Sequence, residues 1–420
     1  NKKMKKIKFI LFYLFLTILY TSKSYSFTTD KQFLKVKIDY DFFCQNLSSS
    51  NFKKDNKNWK LNRKNKYLQI FINNFDEQIL KIKPLYRSSQ IQKIIFTFFK
   101  TPSRPFLEIR SNKNCDIHSI RKIIYNEKLI PKEIHSINVS SFKIENVKPL
   151  NPKLPKLKPN SNQNVIALID TGINYTLKKT HKNIAVRNNK ILGFDFWDND
   201  DKPFDSDPRQ SPFFPRHHGT TVFSILAKDA PNSYIAPYRF PALNMCKFKE
   251  LIEDIAKNSI RLVNLSMGSK KLKDWICFEE IANKYKDIIF VVSAGNNGFN
   301  IDENPIYPAS LDLSNIITVT SSDQSGRLGR GSNFGQNSVD FILPAERLEV
   351  IDHRGVKAFT GGTSYAAPRL AALISRYIEN NPNCTNDEIF KFLQKRAIQK
   401  GKKLTKFGWI PDPLDNYLIN

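Results

Sequence analysis

Residues 361–368 read GGTSYAAP, and the pattern that follows them predicts a helix. Between Tyr365 and Asn380 apolar residues recur at the spacing of one helix face: they are Ala366, Leu370, Leu373, Ile374 and Ile378. Ser364 is therefore expected at or just before the first helical turn, where backbone N–H groups lack partners and the helix dipole is positive. Most serines in such a position are N-caps. The octet alone leaves open whether Ser364 caps the helix or carries out chemistry.

Apolar runs alternate with helical patterns throughout residues 163–420. The runs are VIALID (165–170), IRLVNLSM (260–267), DIIFVVSAG (287–295), NIITVTSS (315–322) and VDFILPA (339–345). Helical patterns lie near 219–228, 247–258, 273–286 and 363–380, and a last helix near 385–397 begins with the capping-box pattern TNDE. Strands that are apolar on both faces and alternate with amphipathic helices predict a parallel sheet covered by helices on both sides.

Four polar residues stand where these strands and helices begin or end. They are Asp170 after the first run, His218 before the helix near 219, Asn296 after the third run, and Ser364. Each could serve as a turn or cap residue. In an open α/β sheet, however, such positions gather beyond the carboxyl ends of the strands, where ligands bind. Serine hydrolysis needs this set, because a base must take the serine proton, a carboxylate must orient the base, and the oxyanion needs donors.

Five segments in this order resemble the subtilisin-like (subtilase) serine peptidase family: VIALIDTGIN, HHGTTVFSIL, NLSMG, VVSAGNNG and GGTSYAAP. The chain order Asp, His, Ser is also that of the family, and differs from the chymotrypsin-like and α/β-hydrolase orders. The resemblance covers about residues 163–400. It implies an α/β fold with a subtilisin-like parallel sheet flanked by helices, and a serine endopeptidase that requires no cofactor for catalysis.

The resemblance also implies a role for individual residues. Asp170 orients the imidazole, His218 acts as general base and then acid, Ser364 attacks, and the Asn296 amide helps to bind the oxyanion. His217 is the competing histidine, but the Gly-Thr that follows His218 favours the latter. Two further segments match the edges that hold an extended peptide substrate by strand-like hydrogen bonds; they are Ser266, Met267 and Gly268, and Ser293, Ala294 and Gly295.

The chain departs from the family pattern at several positions. Thr221 stands where the family usually has a second histidine, RLAA (369–372) replaces HVAG, and LPAE (343–346) lacks a glycine. None of these changes removes a catalytic group. Ile306 stands at a place on the primary specificity pocket where the family often has glycine, which predicts a shallow, apolar pocket.

The stretch GFDFWDNDDKPFDSD (193–207) is rich in aspartate and lies between Asp170 and His218. Carboxylates on a loop can bind Ca²⁺, as similar loops in this family sometimes do. A solvated acidic loop is an equal alternative, because the spacing is not that of an EF-hand. A structural Ca²⁺ thus stays an open hypothesis.

The N-terminal part of the chain has a different character. Residues 1–26 place lysines before the apolar run 9–20 and small residues after it, which predicts a secretory signal peptide, export to the periplasm or medium, and no membrane span once the signal is removed. Residues 27–148 predict a smaller, mainly β (α+β) domain. Its expected strands lie at 36–42 and at YLQIFINNF, ILKIKPLY, KIIFTFF and FLEIR, with one helix at 116–127. A proline- and lysine-rich linker, expected to be extended, exposed and easily cut, follows at 149–162.

The charge of the chain is concentrated in this N-terminal part. Residues 27–160 hold 27 Lys and Arg against 11 Asp and Glu, whereas the whole chain has a net charge of +27. A polyanion-binding surface protein is therefore one alternative function, although export and a general Lys, Asn and Ile bias disfavour a nucleic-acid partner. A catalytically silent binding protein is another alternative. The favoured hypothesis is a peptidase that acts on proteins or peptides, with its N-terminal domain as an intramolecular inhibitor or accessory domain.

Five cysteines show no metal-binding spacing. Export would permit disulfides, for which Cys44–Cys115 and Cys246–Cys277 are the candidate pairs, with Cys384 left free. Buried, unpaired thiols are an alternative for all of them.

Overall fold

The structure is a computed structural model that describes residues 27–46, 58–160, 164–241, 244–411 and 413–414. The predicted signal peptide lies outside the described residues. The chain forms two compact units, one of residues up to 124 with 133–148 and one of residues 125–132 with 149 onward. Within the described part, the structure contains no helix with the length and apolar character needed to cross a membrane.

The N-terminal unit is a helix and an eight-stranded sheet in which chain neighbours are also sheet neighbours. The pairings from β1 to β6 are antiparallel, and they confirm the predicted mainly β architecture. The elements are α1 (Phe27–Asn46), β1 (Trp59–Asn65), β2 (Leu68–Asn73), β3 (Ile79–Arg87), β4 (Gln90–Thr101), β5 (Arg104–Asn112), β6 (Ile117–Tyr125), β7 (Pro131–Ile137) and β8 (Ile144–Pro149).

Helix α1 corrects the prediction of a strand over residues 36–42. Val36, Tyr40 and Phe43 are buried, whereas Ile38 is 64% exposed. Their spacing of four and three residues is that of a helix face, and the alternation with charged residues is incidental. The Phe43 ring lies 4.5 Å from that of Phe71 on β2, so the helix covers one face of the sheet.

Strand β6 corrects the prediction of a helix at 116–127. Ile109 of β5 pairs with Ile120, and the segment carries four isoleucines, which suit a pleated surface better than a helix. The four other predicted strands of this unit are confirmed as β2, β3, β4 and β5.

Both candidate disulfides are present. Cys44 is bonded to Cys115 and Cys246 to Cys277. Cys384 is free and buried. The alternative of unpaired thiols is therefore wrong for four of the five cysteines.

The second unit contains an eight-stranded sheet in the order β12-β13-β9-β14-β15-β16-β17-β20. All seven pairings are parallel, as the sequence predicts. The strands of this sheet are β9 (Val165–Asp170), β12 (Phe194–Asp195), β13 (Tyr234–Arg239), β14 (Leu262–Leu265), β15 (Ile289–Ser293), β16 (Ile316–Ser322), β17 (Phe341–Pro344) and β20 (Gly408–Trp409). Two small hairpins lie outside it: β10 (Val186–Arg187) with β11 (Lys190–Ile191), and β18 (Leu348–Ile351) with β19 (Lys357–Thr360).

Helices cover both faces of this sheet, because alternate residues of each strand enter two separate cores. In β9, Ile166 and Leu168 face the core that contains α2 and α5, whereas Ala167 and Ile169 face the core of α3 and α4. The helices are α2 (Gly219–Asp229), α3 (Phe248–Lys257), α4 (Ile276–Lys284), α5 (Thr363–Asn380) and α6 (Asn386–Arg396). Single 3-10 turns occur at His181–Asn183, Met245–Lys247 and Leu272–Asp274. The predicted capping box of α6 is present between Thr385 and Glu388.

The linker is less exposed than its composition predicts. Residues 152–160 form no regular secondary structure, but Leu154 and Leu157 pack against the core of the second unit. The Tyr175 hydroxyl donates to the Pro152 carbonyl at 2.8 Å, and Asn160 bonds to the backbone of Val186. The prolines keep the segment extended while the leucines between them find apolar contacts. The domain boundary at 149–162 stays a prediction.

Candidate active site

Asp170 and His218 form a charge-assisted pair at the carboxyl edge of the sheet. The Nδ1 atom of His218 lies 2.8 Å and 2.9 Å from the two carboxylate oxygens of Asp170. The Asp170 side chain is 2% exposed and that of His218 is 28% exposed. Burial disfavours the imidazolium, but the charge and hydrogen bond of Asp170, aided by Asp205 and Asp207, raise the pKa of His218 above its usual range.

A close approach of two backbones makes this pairing possible. Gly219 follows His218, and a Cβ atom at Gly219 would lie 2.0 Å from the carbonyl oxygen of Gly172. A glycine is therefore required for α2 to begin against the end of β9. The Thr171 hydroxyl accepts the N–H groups of Gly219 at 2.8 Å and His218 at 3.1 Å, which fixes the backbone that carries the imidazole.

A second buried carboxylate, Asp205, supports the same backbone. Its Oδ1 atom accepts from the Thr171 hydroxyl at 2.6 Å and from the His218 N–H at 3.1 Å. Its Oδ2 atom accepts from the backbone and hydroxyl of Thr220 and contacts the Nδ1 atom of His353 at 3.2 Å. Burial opposes ionisation, but these hydrogen bonds and the nearby histidines lower the pKa of Asp205 to about 2. Asp205 is therefore a positioning residue in this geometry.

Asp205, His217 and His353 are the one group of described residues with potential metal ligands close together. The two imidazole rings are stacked, with centroids 3.6 Å apart and planes at 12°. Nitrogen lone pairs lie in the ring plane, so two parallel rings cannot both point at one ion between them. His353 contacts the Asp205 carboxylate and His217 contacts the Asp205 backbone carbonyl, so the three residues form a hydrogen-bonded network whose ring geometry does not suit a metal ion.

Ser364 lies in the first turn of α5, as the sequence predicts. Gly362 caps this turn with φ +125°, a conformation that favours glycine, and a Cβ atom there would lie 3.1 Å from Oδ1 of Asn296. Pro368 has no N–H to donate to the Ser364 carbonyl four residues earlier. The Ser266 hydroxyl donates to that carbonyl instead, at 2.9 Å. Because Pro368 leaves the Ser364 carbonyl without a helical donor, this carbonyl can bond to the segment that contains Ser266.

The side chains of Ser364 and His218 line the same cleft. No hydrogen bond joins them among the described residues, a frequent situation in enzymes without substrate, where catalytic contacts tighten only in the complex. The backbone N–H of Ser364 has no helical acceptor, because it belongs to the first turn. It is thus available as a donor at the cleft.

Asn296 is oriented by the start of α5. Its Oδ1 atom accepts the N–H of Thr363 at 3.0 Å. With the oxygen engaged, the Nδ2 amide is the part of Asn296 that can donate at the cleft, which this residue lines together with Ser364. The arrangement can place two donors near one oxyanion.

The cleft has a volume of about 420 Å³ and is lined by five of the six residues predicted to contact substrate. These five are Ser266, Met267, Gly268, Ser293 and Gly295. Ala294 is the exception: it is buried, its N–H donates to Val319 at 3.0 Å, and its carbonyl accepts from Asn333 at 2.8 Å. Ala294 therefore supports the edge without facing the cleft.

Ile306 lies between the two edges. Its Cγ2 atom is 3.3 Å from the Cβ position of Gly268 and 3.7 Å from that of Gly295. The side chain is 5% exposed and lines the cleft. The shallow, apolar specificity pocket stays a prediction.

Arginine side chains pair with carboxylates of the acidic loop 193–207. Arg239 donates to Asp195 at 2.8 Å and to Asp198 at 2.6 Å, and it is itself buried. A guanidinium thus bridges the carboxylates that a Ca²⁺ ion would need. Asp207 is paired with Arg209. These contacts do not favour the calcium hypothesis, which stays untested.

Arg369, one of the departures from the family pattern, connects helix α5 to helix α2. Its Nε atom donates to Asp229 at the end of α2 at 3.0 Å, and its Nη1 atom donates to the carbonyl of Pro344 at 2.6 Å. The pair is buried. It therefore holds α5, which carries Ser364, against α2, which follows His218.

An eight-stranded parallel sheet with a cleft at its carboxyl edge is the arrangement of an open α/β enzyme, and Asp170, His218 and Ser364 line this cleft. The model of the Subtilase family matches residues 161–409. The chain belongs to the subtilase family and is a serine endopeptidase.

The chain shares a low sequence identity with individual proteases. The chain is similar to the epidermin leader peptide-processing serine protease EpiP of Staphylococcus epidermidis, with 22% identity over 99% of both chains. A subtilisin-like serine protease of Rhodotorula mucilaginosa is 31% identical over 38% of this chain and 45% of the relative. Among solved structures, EpiP of Staphylococcus aureus is 20% identical with a TM-score of 0.46, covering 62% of this chain and 76% of that chain.

Proposed function

We propose that the chain is an exported endopeptidase in which Asp170, His218 and Ser364 form the triad and Asn296 completes the oxyanion hole. The observation that carries this proposal is the contact of His218 Nδ1 with the Asp170 carboxylate, at 2.8 Å, in the cleft that Ser364 and Asn296 also line. The contact fixes the tautomer of His218, so that its Nε2 atom is free to accept a proton.

The mechanism follows from this tautomer. His218 Nε2 takes the hydroxyl proton as Ser364 Oγ bonds to the peptide carbonyl carbon. The oxyanion accepts hydrogen bonds from the Asn296 amide and the Ser364 N–H. The C–N bond then breaks as the imidazolium gives its proton to the leaving amine, and water repeats the sequence to release the acid and free Ser364.

A fluorophosphonate probe tests this proposal, because it phosphonylates only an activated serine. The full chain should be labelled once, and mass spectrometry of the digest should locate the label on Ser364. A folded protein that stays unlabelled would refute the proposed triad.

Asn296→Ala should lower kcat by about 10²- to 10³-fold with little change in KM, because the lost donor acts on the transition state. Steady-state hydrolysis of a fluorogenic peptide measures both constants. The control is Asn300→Ala, whose side chain donates to Glu303 and accepts from the Asp302 N–H, outside the cleft. A loss confined to KM would argue against an oxyanion role.

Ile306→Ala should raise kcat/KM for peptides with Phe before the scissile bond by about tenfold relative to peptides with Ala, since the extra space admits a larger side chain. The unsubstituted protein should prefer Ala. A thermal melt of the variant checks that its fold is kept. An unchanged Phe-to-Ala ratio would show that Ile306 does not limit the pocket.

The substrate we propose is a secreted protein or peptide. Similarity over the full length to EpiP, a protease named for leader-peptide processing, makes leader-bearing peptides the first substrates to assay. Export is supported by the leader-like residues 1–26 and by two disulfides, which persist in oxidising compartments. Cell fractionation would locate the protein in the periplasm or the medium.

The basic N-terminal unit is proposed as an intramolecular inhibitor that is removed within 149–162. Exposed connecting segments are where proteolysis concentrates, although Leu154 and Leu157 are partly covered. Intact mass of the secreted protein tests this proposal, with about 260 residues expected after a cut at the end of the linker. A secreted form that retains residues 27–148 would show an accessory domain instead.

A further inference from the structure

Two cations line the catalytic cleft with no carboxylate partner among the described residues. They are Arg216, two residues before His218, and Lys270, two residues after Gly268. Both residues are exposed. The backbones of Arg216 and Asp207 form an antiparallel bridge with two hydrogen bonds, whose nitrogen–oxygen distances are 2.8 Å and 2.9 Å. The Lys270 ammonium lies 4.6 Å from the centre of the Phe299 ring.

The two carboxylates of the cleft lining are already engaged. Asp170 accepts from His218. Asp207, 8% exposed, accepts two hydrogen bonds of 2.9 Å from Arg209. The Arg209 guanidinium also lies 4.5 Å from the centre of the Phe240 ring, which fixes the pair in place. Asp207 and Arg209 neutralise each other, and Asp170 is the one other anion of the lining, so Arg216 and Lys270 leave the cleft lining with a net charge of +1 while His218 is neutral.

We propose that the cleft selects peptides with Asp or Glu close to the scissile bond, and that Arg216 and Lys270 are specificity-determining residues. This inference rests on the proposed function. A substrate carboxylate gains Coulomb attraction from two cations that form no ion pair with a described residue, whereas a lysine at the same position is repelled. The two cations lie on separate segments of the lining, one beside the general base and one beyond the Ser266–Gly268 edge. An acidic residue could therefore be favoured at more than one substrate position.

Peptide binding to the full chain with Ser364→Ala tests the charge preference independently of turnover. Fluorescent decapeptides with a central alanine and one Glu, moved position by position, are compared with matched Gln peptides by anisotropy. At about 50 mM salt, the Kd should be up to about fivefold lower for Glu at one or more positions, as for an exposed ion pair. The difference should disappear at about 0.5 M salt, where such charges are screened. Equal Kd values, tighter binding of Lys peptides, or no binding of any peptide would overturn the inference.

Charge variants in the same background assign the preference to its residues. Arg216→Gln and Lys270→Gln should each reduce the Glu-to-Gln ratio, and Arg216→Glu should make the matching Lys peptide bind more tightly than the Glu peptide. The control is Arg327→Gln, which removes a cation that is 83% exposed and paired with Asp323 away from the cleft. It should leave the ratio unchanged. If it lowers the ratio as much as Arg216→Gln does, the preference comes from overall charge and the inference fails.

Fluorophosphonate labelling of the chain with Ser364 intact separates the two proposals. Labelling of Ser364 without a preference for Glu peptides refutes only the proposed selection of acidic peptides. A Glu preference in the binding assay without labelling refutes the proposed peptidase mechanism and leaves an acidic-peptide binding cleft.

Discussion

Ser364→Ala is expected to lower kcat for peptide hydrolysis on the order of 10⁶-fold, the loss that follows removal of the nucleophile from a subtilisin triad. The substitution removes the Oγ atom that forms the acyl-enzyme, and neither His218 nor Asn296 can replace it. We expect the chain to make the proposed cut within 149–162 itself, so that Ser364→Ala should keep its N-terminal unit. Steady-state kinetics and intact mass measure the two effects.

Ser325→Ala is the matched control for this variant. Ser325 is exposed and its hydroxyl donates to Asp323 on a surface turn away from the cleft, so both kcat and processing should be unaffected. The thermal midpoint of Ser364→Ala should stay close to that of the parent, because the Ser364 hydroxyl makes no hydrogen bond within the described residues. Residual hydrolysis within tenfold of the parent would mean that another residue is the nucleophile.

Asp170→Asn should lower kcat on the order of 10⁴-fold, because an amide that donates to Nδ1 stabilises the wrong imidazole tautomer. It should also change the pH profile. His218 must be neutral to act as a base, and its pKa is raised by the Asp170 charge against the opposing effect of burial. Activity of the parent should therefore fall with decreasing pH through a midpoint above the ordinary histidine value of about 6.5.

Removal of the Asp170 charge takes away the main attraction that stabilises the imidazolium. The acidic limb of kcat/KM in Asp170→Asn should therefore move to lower pH, while the rate at every pH stays far below that of the parent. Asp323→Asn, a change of a partly exposed carboxylate that is paired with Arg327 away from the cleft, is the control and should leave the limb in place. A limb that moves to higher pH in Asp170→Asn would contradict the assigned role of Asp170.

The parallel sheet could be predicted from sequence because its central strands are buried on both faces and read as continuous apolar runs. Strand β13 could not, because Pro237 argues against a central strand. In the structure, β12 pairs only with Tyr238 and Arg239, and Gly193, which precedes β12, lies against the Pro237 backbone without ladder pairing. The predictions for α1 and β6 were also wrong. The short apolar patterns there fit the period of a helix as well as that of a strand, and tertiary packing determines which of the two forms.

The four proposed catalytic residues could be found because each stands at the end of an apolar run or the start of a helix. Asp205 and His353 could not. Asp205 is one of several aspartates in an acidic loop, and His353 lies 148 residues further on in the turn between β18 and β19. No local pattern distinguishes the aspartate that accepts the His218 N–H from its neighbours, because its role arises only when three distant segments meet.

The seating of the linker on the catalytic unit has a consequence for the finished enzyme. A cut before Pro152 would give a product of about 270 residues. In this product Leu154, Leu157 and Asn160 would keep their contacts with the second unit. Because an aminopeptidase needs a loose chain end, that product should resist trimming from its new amino terminus. A cut at the C-terminal end of the linker would instead remove Leu154 and Leu157 and expose the apolar surface that they cover. The choice of cleavage position would thus set the working lifetime of the enzyme among other proteases.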